Sequence, residues 1–134
     1  MAEFPEEQFI GFNKDIGFRF VNWTPTEAVL ALDLQPRHLN RSGVVHGGIL
    51  AALLDAAGGF TGVYPIEGKL RRCVTVAMTT NYLGQTKQGT ITCTARLTGG
   101  GKTIFVSTAE VHGEDGTLLA IGQGTYRYIA QTPR

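Results

Sequence analysis

Residues 40–64, NRSGVVHGGILAALLDAAGGFTGVY, constrain the fold more than any other stretch of the chain. At about 100° per residue, the large apolar side chains fall within an arc of roughly 140° on one helical face. They are Ile49, Leu50, Leu53, Leu54, Phe60 and Tyr64. The opposite face consists of Gly and Ala, with Asp55 in its middle and no Lys, Arg or Glu. The pattern predicts a buried helix over residues 47–64.

The Gly/Ala face of this helix is unfavourable unless something packs closely against it. Each glycine weakens a helix by about 1 kcal/mol relative to alanine. Because glycine has no side chain, another backbone or a ligand can come very near, and such packing offsets the loss. We therefore expect this face to meet a second chain or a substrate.

Length, charge and cysteine usage narrow the class of protein. The chain of 134 residues suits a single domain over residues 1–134. A formal net charge of +1 argues against a partner that is nucleic acid or an anionic membrane. We expect neither a signal peptide nor a membrane-spanning segment, because the first residues are acidic and no apolar run of about 18 residues occurs. Cys73 and Cys93 lack CxxC spacing, which predicts free thiols and a cytoplasmic location.

Alternating apolar and polar residues predict six strands around the helix, after a lead-in of about residues 1–14. The strands cover residues 17–23, 26–35, 72–83, 89–98, 102–112 and 117–128. Tight-turn signals after the helix predict that the last four strands form an antiparallel meander. Only the sheet is large enough to cover the apolar helix. The predicted fold is therefore α+β, a curved antiparallel sheet wrapped around one long central helix.

His46 and Asp55 are the two side chains on this helical segment with obvious catalytic potential. They lie nine residues apart, which corresponds to about half a turn of offset and about 13.5 Å of rise on a regular helix. Their side chains therefore point in opposite directions and cannot serve one site within one chain. Either they are unrelated, or His46 of one subunit faces Asp55 of another across a two-fold axis.

The residues Asn40, His46-Gly47-Gly48 and Asp55, set before the later strands, resemble the pattern of the hotdog-fold thioesterases. Within that superfamily the chain looks most like the PaaI-like acyl-CoA thioesterase branch, over about residues 10–128. The resemblance implies a hotdog fold, pairing into homodimers and further into homotetramers, and hydrolysis of acyl-CoA at the dimer interface. CoA is then part of the substrate, and neither a cofactor nor a metal is implied.

The resemblance also implies roles for the catalytic candidates. Asp55 would act as nucleophile or general base, and the Gly47 N–H would polarise the thioester carbonyl. Asn40 and His46 would orient that carbonyl or the neighbouring loop. Thr75 aligns with a hydroxyl residue that helps to position the attacking water.

Substrate-binding candidates come from three places in the chain. Gly48 allows close approach to the amides of the helix N-terminus. Lys102, in a Gly-Lys-Thr turn, resembles the basic turn near the CoA nucleotide in the family. Arg71 and Arg72, just before a strand, are candidates for contacts with CoA phosphates. A P-loop is excluded, because Arg96 stands where that motif requires glycine.

The chemistry is also plausible without the family. A thioester is an activated acyl group, so hydrolysis needs only a positioned water or nucleophile and a donor for the developing oxyanion. A helix N-terminus supplies the donor, and a carboxylate on an otherwise apolar face supplies the base.

Each of these catalytic candidates also has a purely structural interpretation. Asp55 can accept structural hydrogen bonds, His46 can cap the helix, Asn40 can form an Asx-turn, Gly47 and Gly48 can form a turn, and Thr75 can be an ordinary strand residue.

Two other functions remain open at this point. One is a non-catalytic acyl-CoA binding or sensing module on the same fold. The other is an enoyl-thioester hydratase or dehydratase, which usually pairs a catalytic His with an acid in a different arrangement. The acyl group also stays open among phenylacetyl, hydroxybenzoyl and medium-chain fatty acyl groups. The thiol carrier is either CoA or an acyl-carrier protein.

Overall fold

The computed structural model of the protein describes residues 9–69 and 71–130. Its helices are α1 (Phe12–Ile16) and α2 (Gly47–Phe60), with a 3-10 helix (Pro36–His38) before α2. Its strands are β1 (Arg19–Trp23), β2 (Glu27–Asp33), β3 (Cys73–Tyr82), β4 (Thr90–Gly100), β5 (Ile104–His112) and β6 (Leu118–Tyr128). Among these residues, no helix combines the length and the apolar character needed to cross a membrane.

The six strands form one antiparallel sheet in the order β1-β2-β4-β5-β6-β3. Helix α2 lies against one face of this sheet, and the core fills the space between them. The core includes Leu50, Leu53, Leu54, Ala57, Ile91, Cys93, Ala95, Val111 and Leu119. The predicted α+β hotdog architecture is therefore confirmed: one sheet covers the bulky face of one long helix.

The predicted four-strand meander is wrong for its first strand. Strand β3 pairs with β6 at the sheet edge and does not neighbour β4. The connection between β3 and β4 is no tight turn, because residues 83–89 run across the end of the sheet. Leu83 N–H bonds the Leu119 carbonyl, Val45 N–H bonds the Thr86 carbonyl, and Leu34 N–H bonds the Gly89 carbonyl.

The predicted helix also ends earlier, at Phe60 instead of Tyr64. After Phe60 the N–H groups of Thr61, Gly62 and Val63 each bond the carbonyl three residues back, which tightens the chain into turns. The Thr61 hydroxyl donates to the Gly58 carbonyl at 2.7 Å and stabilises this ending. Tyr64, placed on the helix by its periodicity, instead packs edge-on against Trp23.

The Gly/Ala face of α2 divides into two parts. Gly58, Gly59 and Gly62 are buried, and each lies against the protein's own strands. At Gly62, for example, an added Cβ would come within 2.5 Å of the Phe105 ring. Hence the expectation that this whole face meets a second chain or substrate is wrong for Gly58 and Gly62, because side chains of β5 and β6 already fill the space beside them. Ala51, Ala52, Asp55 and Ala56 remain partly accessible.

The N-terminal lead-in contributes one short helix. α1 begins after Gly11 and ends at Gly17, whose left-handed conformation (φ 103°) turns the chain into β1. Buried His38 holds this region, since its Nε2 lies 2.8 Å from the Ile16 carbonyl and its Nδ1 accepts from Gln35 N–H at 2.9 Å. Residues 1–8 of the predicted lead-in lie outside the described residues.

Candidate active site

Asp55 and Thr75, two of the catalytic candidates that the family pattern selects, are in direct contact. Thr75 Oγ1 donates to Asp55 Oδ1 at 2.7 Å. Asp55 lies at the middle of α2, and Thr75 lies near the start of β3 with its side chain toward the helix. A β-bulge follows Thr75, between Thr75 and Ala77. Bulges commonly redirect side chains beside active sites.

A cavity of about 250 Å³ opens beside this pair. Its lining comes from α1, α2 and the segment that follows α2, β3 and β6: Asn13, Asp55, Ala56, Gly59, Phe60, Val63, Arg71, Arg72, Cys73, Thr75 and Tyr126. Sequence reasoning missed Asn13, Cys73 and Tyr126. Cys73 could have been found, because residues two apart on a strand share a face with Thr75. Asn13 and Tyr126 gave no signal, because their positions depend on how α1 and β6 pack.

His46 caps helix α2. Its Nδ1 accepts a hydrogen bond from Gly48 N–H at 2.8 Å, so the neutral imidazole carries its proton on Nε2. Nothing in the described part of the chain accepts from the Gly47 N–H, which lies at the first position of the helix. The N-terminus of α2 therefore offers the Gly47 amide as a donor, while Gly48 is already occupied.

Asn40 organises the loop that leads into α2. Its side-chain Oδ1 accepts from Ser42 N–H at 2.9 Å and from Val44 N–H at 3.3 Å. Gly43, with φ 79°, completes the turn by donating its N–H to the Asn40 carbonyl at 3.0 Å. This Asx-turn matches the structural interpretation of Asn40, and it fixes the backbone just before His46.

The structure keeps His46 and Asp55 apart within the chain. His46 lines a surface groove of the preceding loop together with Leu39, Asn40, Arg41 and Ser42. Asp55 lines the cavity at the middle of α2. The two halves of the predicted site therefore lie in separate depressions of one protomer, as their half-turn offset predicts.

The three basic candidates differ in their surroundings. Arg71 Nη1 donates to the Gly62 carbonyl at 3.2 Å, and its guanidinium stacks over the Tyr128 ring at 3.9 Å. Arg72 is exposed, and both arginines line the Asp55 cavity as well as a neighbouring groove that also contains Lys69. Lys102 is exposed at the β4–β5 turn and lines neither this cavity nor this groove.

The thiol of Cys73, which lines the cavity beside Asp55, is poorly suited to act as a nucleophile. Burial, and then the charge of Asp55, raises the pKa of Cys73 to about 11. Burial also raises the pKa of Cys93 far above its ordinary value, with a further contribution from Glu110. Because the thiolate is the reactive form, both cysteines are free but unreactive at neutral pH. Asp55 is therefore the better candidate for the reacting group.

Metal-ion chemistry has no evident ligand set in the region that the structure describes. No group of three or more His, Cys, Asp or Glu side chains converges there. The site is built instead from a carboxylate, a hydroxyl, backbone amides and cations.

Comparison with known proteins identifies the family. The thioesterase superfamily profile matches residues 42–120, which include α2, β3, β4 and β5. The chain belongs to the thioesterase superfamily. This membership confirms the predicted hotdog thioesterase resemblance and the predicted class of enzyme, a thioester hydrolase.

One relative of this thioesterase supports the enzyme class, and two solved structures support the fold. The medium/long-chain acyl-CoA thioesterase YigI of Salmonella typhimurium is 26% identical over 129 residues, covering 86% of this chain and 83% of YigI. The solved structure of PA5202 from Pseudomonas aeruginosa superposes with a TM-score of 0.82 at 29% identity, covering 93% of this chain and 98% of PA5202. An N33D mutant of the phenylacetic acid degradation protein PaaI from Thermus thermophilus superposes with a TM-score of 0.76 at 25% identity, covering 88% and 98%.

Proposed function

We propose that this thioesterase hydrolyses acyl- or aryl-acyl-CoA to the free acid and CoA, with Asp55 as the reacting carboxylate. The observation that carries the proposal is the 2.7 Å hydrogen bond from Thr75 to Asp55 Oδ1, beside a cavity of about 250 Å³. No group in the described residues bonds Oδ2. A carboxylate fixed through one oxygen and free at the other can accept a proton from water or attack a carbonyl.

The second half of the site is the N-terminus of α2. The Gly47 N–H has a free donor direction there, and the helix dipole favours negative charge at that position. A thioester oxygen held on this amide would gain stabilisation as the tetrahedral intermediate forms. His46 and Asn40 keep the amide in place through the helix cap and the Asx-turn. Gly48 makes room for this cap, because an added Cβ there would lie 2.8 Å from His46 Nδ1.

In our proposal, the Asp55 carboxylate and the Gly47 amide come together only when two copies of the chain associate about a two-fold axis. Strand β3 supports this association, because it is a sheet edge with exposed apolar side chains at Val74, Val76 and Tyr82. Pairing of two such edges would bring the α2 helices of both copies close together. Each dimer would then hold two identical sites, with Gly47 from one copy and Asp55 from the other. Homotetramers would be pairs of such dimers.

In the general-base version of the reaction, Asp55 Oδ2 takes a proton from water as the water oxygen bonds to the thioester carbon. The resulting oxyanion is held by the Gly47 N–H. Its collapse breaks the C–S bond, and the proton passes from Asp55 to the departing CoA sulfur. In the nucleophilic version, Oδ2 itself bonds to the carbon, CoA leaves, and water then cleaves the mixed anhydride. No cofactor enters either version.

The surroundings of the cavity favour CoA as the thiol carrier. Lys69, Arg71 and Arg72 line the groove next to the cavity, and Glu67 is the one acid among its described lining residues. Such a surface suits the phosphates of CoA. The name of YigI suggests medium- or long-chain acyl groups, and the name of PaaI suggests phenylacetyl. All three groups, with hydroxybenzoyl, belong in the first substrate panel.

The test is a thioester panel scored by release of free thiol, using wild type, Asp55→Asn and Asp55→Ala. We expect thiol release from at least one acyl-CoA, and a loss of at least about 10³-fold in kcat for both variants with the oligomer intact. Asp33→Asn is the matched control, because it makes the same carboxylate-to-amide change away from the cavity. Wild-type rates in both Asp55 variants would exclude Asp55 as the reacting group.

Other outcomes identify the alternative functions. Tight binding of an acyl-CoA in calorimetry without thiol release would indicate a sensing module. Hydration of an enoyl-CoA without thiol release would indicate a hydratase. Activity on acyl-carrier protein alone would overturn the choice of CoA.

Single-turnover hydrolysis in H₂¹⁸O distinguishes the general-base reaction from the nucleophilic reaction, because only a nucleophilic Asp55 incorporates ¹⁸O into the protein.

A further inference from the structure

Tyr126 connects strand β6 to the residue at the centre of the proposed site. Its hydroxyl donates to the backbone carbonyl of Asp55 at 3.1 Å. Its ring is 1% exposed and stacks on Phe105, with 5.1 Å between the ring centroids and 17° between the planes. The hydroxyl therefore reaches α2 from a side chain that has little freedom to move.

The space for this hydroxyl is kept open by two glycines. An added Cβ at Gly58 would collide with the Tyr126 hydroxyl and come within 2.7 Å of Ser107 Oγ. An added Cβ at Gly124 would lie 2.5 Å from the Tyr126 hydroxyl. Ser107, itself buried, makes a hydrogen bond with the Tyr126 hydroxyl. Tyr126 is thus held by a partner on β5 as well as by the helix.

Tyr126 and Thr75 are direct partners across the β3–β6 ladder. One bonds the backbone of Asp55 and the other bonds its carboxylate. Two neighbouring residues of the sheet therefore fix both the backbone and the carboxylate of Asp55 on the helix. Since the β-bulge begins immediately after Thr75, this pair is the last in register before the strand shifts.

We infer that Tyr126 is a positioning residue for Asp55, acting through the backbone carbonyl while Thr75 acts on the carboxylate. Tyr126 holds the central turn of α2 at the height over the sheet where Asp55 Oδ1 reaches Thr75. Without that hydroxyl, the turn can move relative to β3, and the carboxylate spends less time in its reactive orientation. The inference rests on the proposed thioesterase function of Asp55.

The first test is Tyr126→Phe, which removes the hydroxyl and keeps the stacked ring. We expect kcat for the best acyl-CoA of the panel to fall about 3- to 10-fold, with KM changed less than about 2-fold. Thr61→Val is the matched control. It removes another buried hydroxyl that bonds an α2 carbonyl, Thr61 Oγ1 to Gly58 O at 2.7 Å, without touching Asp55. It should lower the melting temperature similarly and leave kcat unchanged.

The second test is a double-mutant cycle with Thr75→Val. If Tyr126 acts by aligning Asp55 with Thr75, adding Tyr126→Phe to Thr75→Val should slow the enzyme further by less than about 2-fold. Ser107→Ala, which removes the other hydroxyl partner of Tyr126, gives a second variant and should reduce kcat in the same direction.

Three results would overturn the inference. They are a wild-type kcat in both Tyr126→Phe and Ser107→Ala, an equal loss of kcat in Thr61→Val, or fully multiplicative losses in the cycle. If wild type hydrolyses acyl-CoA and Asp55→Asn does not, such results reject the role of Tyr126 alone. If wild type releases no thiol, or Asp55→Asn is fully active, the proposed function and this inference both fail.

Discussion

Thr75, on an edge strand, donates its hydroxyl proton to the carboxylate of Asp55, at the middle of the central helix, over 2.7 Å. The two residues are 20 positions apart in sequence and belong to different elements, so only the packed helix and sheet bring them together. This contact selects one orientation of the carboxylate. Changes that disturb the contact should affect catalysis more than stability.

Thr75→Val tests that contact directly. The substitution keeps the side-chain shape and removes the donor, so we expect kcat to fall about 10-fold because a hydrogen bond to a charged group is lost. Thr75 is exposed, so the melting temperature should change by only a few degrees. Thr79→Val, on the same strand but away from the Asp55 cavity, is the control for kinetics and thermal melts. A Thr75→Val enzyme as fast as wild type would contradict an orienting role.

Two substitutions of His46 should distinguish its role as a helix cap from a role in catalysis. His46→Ala removes the acceptor for Gly48 N–H, so the free energy of unfolding should fall by about 0.5–2 kcal/mol and kcat should also fall. His46→Asn supplies another good cap, so it should recover stability in urea titrations. Full recovery of kcat in His46→Asn would show that the imidazole serves only as a cap. His112→Ala, on an exposed pair with Glu110, is the control histidine.

Much of the fold was predictable from residues 40–64, and the limits have physical causes. The periodicity and the His46 cap predict the start of α2 at Gly47. The end of α2 depends on i→i−3 bonds and on the buried Thr61, which periodicity does not report. Alternation of apolar and polar residues defines the faces of a strand and not its neighbours, so the pairing of β3 with β6 was missed.

The site was predictable to a similar extent. The family pattern and the helical wheel selected Asp55, and the alignment selected Thr75, which the structure brings together. The roles in catalysis remain predictions. Tyr126 gave no sequence signal, because an aromatic residue in an alternating strand is most simply part of the core. Only its hydrogen bond to the Asp55 backbone distinguishes it.

Gly58→Ala should destabilise the protein although alanine favours helices. The added Cβ would collide with the Tyr126 hydroxyl and with Ser107 Oγ, so we expect a net loss of about 1–3 kcal/mol in the free energy of unfolding. Combining it with Tyr126→Phe should recover part of that loss, because the nearest clashing atom is gone. Chemical denaturation of the two single variants and the double variant measures the coupling, and strict additivity would argue against this collision.

The raised pKa of Cys73 should make the protein less stable at alkaline pH. Its folded pKa of about 11 lies above the ordinary value of 9.0, so the folded state binds the thiol proton more tightly than the unfolded chain. The resulting stabilisation is complete below pH 9 and is lost as the pH rises toward 11. Between pH 8 and pH 10.5, wild type should therefore lose more unfolding free energy than Cys73→Ala. In the folded protein at pH 8, alkylation of Cys73 should be roughly 100-fold slower than that of an ordinary thiol.

Substitutions of Arg71 and Arg72 should differ in their effect on stability but not in their effect on KM. Arg72→Ala should raise KM for acyl-CoA about 3- to 10-fold and leave KM for the matching acyl-pantetheine unchanged, because the truncated substrate lacks the nucleotide phosphates. Arg71→Ala should show the same KM effect and also melt earlier, since it loses its bond to the Gly62 carbonyl and its stacking on Tyr128. Arg127→Ala, exposed on β6, is the control. Equal KM changes for both substrates would exclude contact with the nucleotide.

The position of β3 beside β6 has a consequence for how the enzyme matures. Thr75 leaves the ribosome shortly after Asp55, yet the strand with which β3 pairs in the described sheet, residues 118–128, is synthesised much later. Closing that long loop is an entropic barrier that precedes the contact. The contact between Thr75 and Asp55 should thus form in one of the last steps of folding. A nascent chain that lacks its final strand would carry both residues and still be inactive.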